Sequence, residues 1–117
     1  MVLVVEDDPA LNRLITTLLV EQGFQVTSVV DGEEAYRAIK SKTVDLMVLD
    51  LHLPGVNGAE LLVLLNAEHR RVPVIVVSSP TQFESANLKR FTNVRKQIRK
   101  PFRNDEIVQS VRDVLEV

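Results

Sequence analysis

Val44-Asp45-Leu46-Met47-Val48-Leu49-Asp50-Leu51-His52-Leu53-Pro54-Gly55-Val56-Asn57-Gly58 is the stretch whose reading decides the fold. Its first half is an almost unbroken apolar run, the pattern of a strand buried on both faces of a parallel sheet. Its second half is turn chemistry, because Pro54-Gly55 and Asn57-Gly58 are pairs that break regular structure. Asp50 falls where the strand stops, at its carboxyl end, and open α/β sheets place their ligands there. From position alone Asp50 is either a residue that tethers the loop or a functional carboxylate. The residues around it decide between the two.

The same alternation continues in both directions. Val2-Leu3-Val4-Val5 reads as a buried strand ending in Glu6-Asp7-Asp8-Pro9. Asp8 followed by Pro9 is a helix start, and Leu11, Leu14, Ile15, Leu18 and Leu19 form an apolar stripe that Gly23 closes. Only Asp8 is needed as the cap, so Glu6 and Asp7 are surplus carboxylates at the end of a central strand. A second strand is expected over 24–30, then a helix from Asp31-Gly32 carrying Ala35, Ala38 and Ile39. The third strand runs over 44–49, and a third helix carries Leu61, Leu62, Leu64 and Leu65. Val74-Ile75-Val76-Val77 is the fourth strand, ending in Ser78-Ser79. A fourth helix over 81–91 has Phe83, Leu88 and Phe91 as apolar anchors, interrupted by Asn87, Lys89 and Arg90. A fifth strand over 95–99 leads to Lys100-Pro101-Phe102 and a last helix from Asn104 that buries Ile107, Val108, Val111, Val114 and Leu115. Strand and helix alternate throughout, which predicts a doubly wound α/β fold with right-handed crossovers. Strand order 2-1-3-4-5, in a five-stranded parallel sheet, fits one domain over residues 1–117.

Composition agrees. Of 117 residues, 45% are apolar but only 4% are aromatic, so the expected core is aliphatic. There is no cysteine, which excludes disulfides and thiolate metal sites. No run is long enough to span a membrane and no signal-peptide pattern opens the chain, so the expected compartment is the cytoplasm. Charge is uneven: residues 1–69 hold 11 acids and 4 bases, whereas residues 70–117 hold 5 acids and 10 bases. An acidic front half suits a cation site and a basic back half suits an anion or an acidic partner.

The order 2-1-3-4-5 makes strands one and three neighbours, about 4.8 Å apart. Glu6, Asp7 and Asp50 then converge in one crevice, where mutual repulsion raises proton affinity unless a cation is bound. Oxygen ligands without cysteine or clustered histidine favour Mg²⁺ or Mn²⁺ over zinc, with a phosphate oxygen able to complete the octahedron. On the other flank, the Ser78 hydroxyl and the Lys100 ammonium are placed to hold the oxygens of a phosphoryl group on the carboxylate.

These residues, in this order, resemble the receiver domain of two-component response regulators, the CheY-like superfamily with its flavodoxin-like (βα)5 fold. The resemblance rests on Val4-Val5-Glu6-Asp7, on Asp50 with Pro54-Gly55 and Gly58 downstream, on Pro73 through Ser78, and on Lys100-Pro101-Phe102. It implies a signalling switch rather than an enzyme in the usual sense. Asp50 would accept a phosphoryl group from a phosphohistidine on a sensor histidine kinase or phosphotransfer protein and later lose it by self-dephosphorylation. It further implies that Asp7 and Asp50 bind Mg²⁺, that Glu6 positions a metal-bound water, and that the His52 backbone carbonyl is a further ligand. Ser78 and Lys100 would hold the phosphate, and the Lys100–Pro101 bond would be cis. The His52 side chain is either a solvent-facing loop residue or, with Pro80, a border of the path taken by the hydrolytic water.

The resemblance is incomplete on the fifth strand. The family's usual aromatic there falls on Gln97, its usual Gly-Ala pair on Asn93-Val94, and the acids common in DNA-binding members on Arg95 and Lys96. Lys89 and Arg90 against Arg95 and Lys96 repel, so a monomer or weak dimer is expected in place of the usual dimer through the fourth helix, fifth strand and last helix. That face is either a docking surface for an acidic partner or a solvated face. No helix-turn-helix follows, so no direct nucleic-acid binding is expected. The chain is expected to be either a stand-alone receiver or part of a larger regulator or hybrid kinase. The competing function is a pseudo-receiver, the same fold acting as a phosphorylation-independent binding module. A Mg²⁺ phosphatase with an aspartyl nucleophile would want a second acid–base aspartate at position 52, where histidine stands.

Overall fold

Five strands alternate with helices in the computed structural model, which describes residues 1–79 and 88–117. The strands are β1 (Val2–Val5), β2 (Val26–Val29), β3 (Leu46–Asp50), β4 (Val74–Ser78) and β5 (Val94–Arg99). They form one parallel sheet in the order β2-β1-β3-β4-β5. The helices are α1 (Pro9–Glu21), α2 (Gly32–Ser41), α3 (Gly58–Ala67) and α4 (Asn104–Leu115). This is the flavodoxin-like arrangement that the sequence predicts.

Every residue of β1, β3 and β4 is buried, and the period of two sends alternate side chains to opposite faces. Val2, Val4, Leu46, Val48, Ile75 and Val77 pack with Ile15 and Leu19 of α1 and Ile107 and Val111 of α4. Leu3, Val5, Met47, Leu49, Val74 and Val76 pack on the other side with Ala35, Ala38 and Ile39 of α2 and Leu61, Leu62 and Leu65 of α3. Burying one such aliphatic side chain is worth about 1.5–3 kcal/mol. Fixing one residue's backbone costs about 1–2 kcal/mol. A doubly covered aliphatic sheet therefore tolerates a charged cluster at one edge.

The boundaries differ from the sequence reading where the sheet edges intervene. β2 is shorter than 24–30 because it is an edge strand: Val30 is exposed, and Phe24 is half-buried under the Arg112 guanidinium. β3 starts at Leu46, since Asp45 is exposed and pairs with the terminal amine of Met1, and it extends to include Asp50 itself. β5 begins at Val94, and Val74 pairs with Val94 while Ile75 pairs with Lys96, so Arg95 is an extra, bulged residue. Leu14 and Leu64 are exposed, because the buried face of α1 is Asn12, Ile15 and Leu19 and that of α3 is Leu61, Leu62 and Leu65. The helix expected over 81–91, with its anchor Phe83, lies largely outside the described residues, as does Pro80 before it. Leu88–Arg90 form a 3-10 turn, with Leu88 and Phe91 buried as anchors. No helix among the described residues is long and apolar enough to cross a membrane.

Candidate functional site

The strand register brings the polar ends together. Val5 pairs with Leu49, Asp50 with Val77 and Ser78 with Arg99, so Glu6, Asp50, Ser78 and Lys100 stand in a row across the carboxyl edge. Glu6, Asp50 and Ser78 are each the first polar residue at or just past the end of an apolar strand, whereas Lys100 follows the mostly charged β5. Glu6 and Asp50 are buried at 1% and 3% exposure, while Asp7 is exposed. One carboxylate oxygen from each of the three lies within 4.8 Å of the others.

The contacts orient these groups. The Lys100 Nζ lies 3.2 Å from Glu6 Oε1 and 3.4 Å from Asp50 Oδ2. The Asp8 N–H donates to Glu6 Oε2 at 3.1 Å, and the His52 N–H donates to Asp50 Oδ1 at 3.1 Å. Lys100 is delivered by its own backbone, whose N–H donates to the Ser78 carbonyl at 3.0 Å, and the Lys100–Pro101 peptide is cis. The Ser78 hydroxyl is fully buried with no hydrogen-bond partner among the described residues. A polar atom left so is costly in a finished core and is expected at a site that receives a ligand.

Burial, and then the neighbouring Asp50 carboxylate, push the Glu6 carboxyl from its ordinary 4.5 up to about 7, against the opposing Asp8 amide and Lys100 ammonium. Burial alone would lower Lys100, but Asp50 and Glu6 outweigh it and its value is raised. Three carboxylates crowd one position, with one of them held toward protonation. A divalent cation would relieve that crowding, and the all-oxygen donor set suits a hard ion such as Mg²⁺.

Two glycines fix the loop that follows Asp50. A Cβ on Gly58, the first residue of α3, would stand 2.6 Å from Leu51 Cα and 2.8 Å from the Asp50 carbonyl oxygen. One on Gly32, at the start of α2, would stand 2.2 Å from the Val56 carbonyl oxygen. Asn57 caps α3 by accepting the Glu60 N–H at 2.9 Å. The loop between Leu51 and Asn57 is thus seated against two helix starts, with the His52 side chain in solvent.

Of the sequence-predicted residues, Glu6, Asp7, Asp50 and Lys100 meet in this crevice, and Ser78 stands at the end of β4 on the same edge of the sheet. Asn12 and Gly32 carry no role in the sequence reading. Asn12 could have been suspected, since it shares a helix face with Ile15 and Leu19 and is therefore a polar residue in a buried stripe. Gly32 gives no such signal, because the close approach of Val56 exists only in the folded chain.

On β5 and in the turn before it, Lys89, Arg90, Arg95 and Gln97 are exposed. Arg90 lies over the Phe91 ring, 4.7 Å from its centroid. Lys96 is engaged within the chain, its ammonium 2.7 Å from Asp113 on α4, and the Asp113 carboxyl is held below its ordinary value by that bond and by Gln109.

The family model described as response regulator receiver domain matches residues 2–112. The DNA-binding response regulator MtrA of Mycolicibacterium smegmatis is 34% identical over 111 residues, covering 95% of this chain and 48% of that protein. The chain thus spans about half the length of the curated relatives it matches. The receiver domain of Francisella response regulator 1452 superposes with a TM-score of 0.89 at 31% identity, over 98% of this chain and 95% of that one. The receiver domain of the sensor histidine kinase PA1611 from Pseudomonas aeruginosa PAO1, with a magnesium ion coordinated in its active-site cleft, gives a TM-score of 0.86 at 27% identity, over 99% and 97% of the two chains.

Proposed function

The chain belongs to the response regulator receiver family, and from that premise we propose that it is a phosphorylatable switch whose acceptor is Asp50. The donor is a phosphohistidine on a sensor histidine kinase or phosphotransfer protein. The P–N bond of the donor breaks as a P–O bond to the Asp50 carboxylate forms, giving an acyl phosphate. The observation that carries this reading is the meeting of Glu6, Asp7 and Asp50 within 4.8 Å, with Lys100 against Asp50 Oδ2.

Asp7 and Asp50, with Glu6 and the His52 backbone carbonyl, would hold Mg²⁺. The chemistry such an ion supplies is neutralisation of charge on the transferred oxygens. The His52 N–H bond to Asp50 Oδ1 orients the carboxylate and leaves Oδ2 as the attacking oxygen. Lys100, already beside Oδ2, supplies a point charge to the incoming phosphoryl group. The unpartnered Ser78 hydroxyl donates to one of its oxygens. The groove formed by Leu11, Leu14, Lys100, Pro101 and Phe102 gives a donor protein an apolar seat next to the acid cluster.

The output is a change in partner binding at the face that holds β5 and α4, with an acidic partner recognised by Lys89, Arg90, Arg95 and Lys96. Since Lys96 is paired with Asp113, Arg95 is the stronger contributor. The exposed Gln97 on β5 favours a second reading, a phosphorylation-independent binding module. Labelling with a phosphodonor such as acetyl phosphate separates them: we expect Mg²⁺-dependent incorporation that Asp50→Asn abolishes. Labelling that survives the substitution sinks the assignment to Asp50, and no labelling of the unaltered chain favours the binding module.

A further inference from the structure

We infer that Asn12 is a positioning residue for the acidic site, holding the peptide from which the Asp7 side chain departs; this rests on the function proposed above. Asn12 lies on α1 at 8% exposure, and its amide nitrogen donates to two backbone carbonyls, Glu6 O at 2.9 Å and Val29 O at 3.0 Å. The Thr16 hydroxyl donates to Asn12 Oδ1 at 3.4 Å and so aims the nitrogen at those two acceptors. The reversed amide would set oxygen against oxygen. The carbonyl of Glu6 is part of the Glu6–Asp7 peptide, which lies past the end of β1, where the sheet ladder no longer fixes the chain. Val29 O also accepts the Glu6 N–H at 3.2 Å, so the Asn12 amide ties both sides of Glu6 to the end of β2. The residue after Asp7 is fixed separately, because Asp8 caps α1 by accepting the Ala10 N–H at 3.0 Å and donates its own N–H to Glu6. Asp7 is itself exposed, so the placement of its carboxylate within 4.8 Å of Glu6 and Asp50 comes from its backbone. Asn12 is the side chain that sets that backbone on one side.

The test compares Asn12→Leu, which keeps the branching of the side-chain heavy atoms but has no donors, with Thr16→Val and with Ser110→Ala, a similarly buried polar residue on α4. Calorimetric titration with Mg²⁺ and the residual dipolar coupling of the Asp7 N–H in metal-free protein are the readouts. Asn12→Leu is expected to weaken Mg²⁺ binding about tenfold and to shift the Asp7 coupling. Thr16→Val should move both in the same direction by less, and Ser110→Ala should move neither. If Asn12→Leu does not fold, Thr16→Val decides by the same readouts. Unchanged Mg²⁺ affinity and an unchanged Asp7 coupling overturn the inference, as does equal weakening in Ser110→Ala, which would mark general loosening. Unaltered protein that binds no Mg²⁺ overturns the function proposed above together with this inference, whereas normal binding that is unaffected by the Asn12 and Thr16 variants overturns this inference alone.

Discussion

Glu6 is a buried carboxyl beside a second carboxylate, and its protonation links the site to the stability of the chain. Its folded-state value, raised to about 7 from 4.5, means that between those limits the native state keeps a proton that the unfolded chain has released. Metal-free stability contributed by this group therefore falls as pH rises through that window. Because a bound cation requires the deprotonated carboxylate, saturating Mg²⁺ should reduce or reverse the fall. Thermal midpoints measured across the window in chelator and in excess Mg²⁺ check this. Glu6→Gln, which has no proton to lose, is expected to show a flatter metal-free profile than the unaltered chain. Equal slopes for the two would contradict the assignment.

At the scale of elements, the segment from β3 to α3 carries the site, and its shape depends on backbone contacts that no side chain can yield to. Gly58→Ala would drive a Cβ into Leu51 Cα and the Asp50 carbonyl oxygen. The expected cost is about 1–3 kcal/mol of stability, read by urea denaturation, with weaker Mg²⁺ binding because Asp50 itself must shift. A Gly58→Ala protein as stable as the unaltered chain, with full Mg²⁺ affinity, would show that the loop is not held there. β5 is the contrasting element. It is an edge strand with a bulge at Arg95, and its charged residues Arg95, Lys96 and Arg99 oppose pairing with another strand.

At the scale of the whole molecule, charge divides the carboxyl edge of the sheet from the flank of its edge strand β5. The acidic crevice lies at the carboxyl edge, and Lys89, Arg90 and Arg95 lie around the β5 flank. Like charges on that flank oppose self-association through it, so sedimentation with acetyl phosphate and Mg²⁺ should give a monomer or weak dimer. A tight dimer under those conditions would show that another surface associates. The Lys96–Asp113 bond is solvent-exposed and screened by salt, so it adds little to that balance.

The sequence by itself determined the sheet and the set of residues at its edge. Parallel strands covered on both faces read as unbroken apolar runs, and Glu6, Asp50 and Ser78 are each the polar group at or just past the end of such a run, while Lys100 is marked by the Lys-Pro-Phe that follows the charged fifth strand. Tertiary structure alone decided how those groups touch. Whether Leu14 or Asn12 faces inward depends on the rotation of α1, which is set where the Asn12 amide meets the Glu6 and Val29 carbonyls. The Lys96–Asp113 pair and the Gly32 approach to Val56 likewise join segments distant in the chain. Periodicity records which side of an element is apolar; only packing of one element on another fixes the few degrees and tenths of an ångström on which a carboxylate cluster depends.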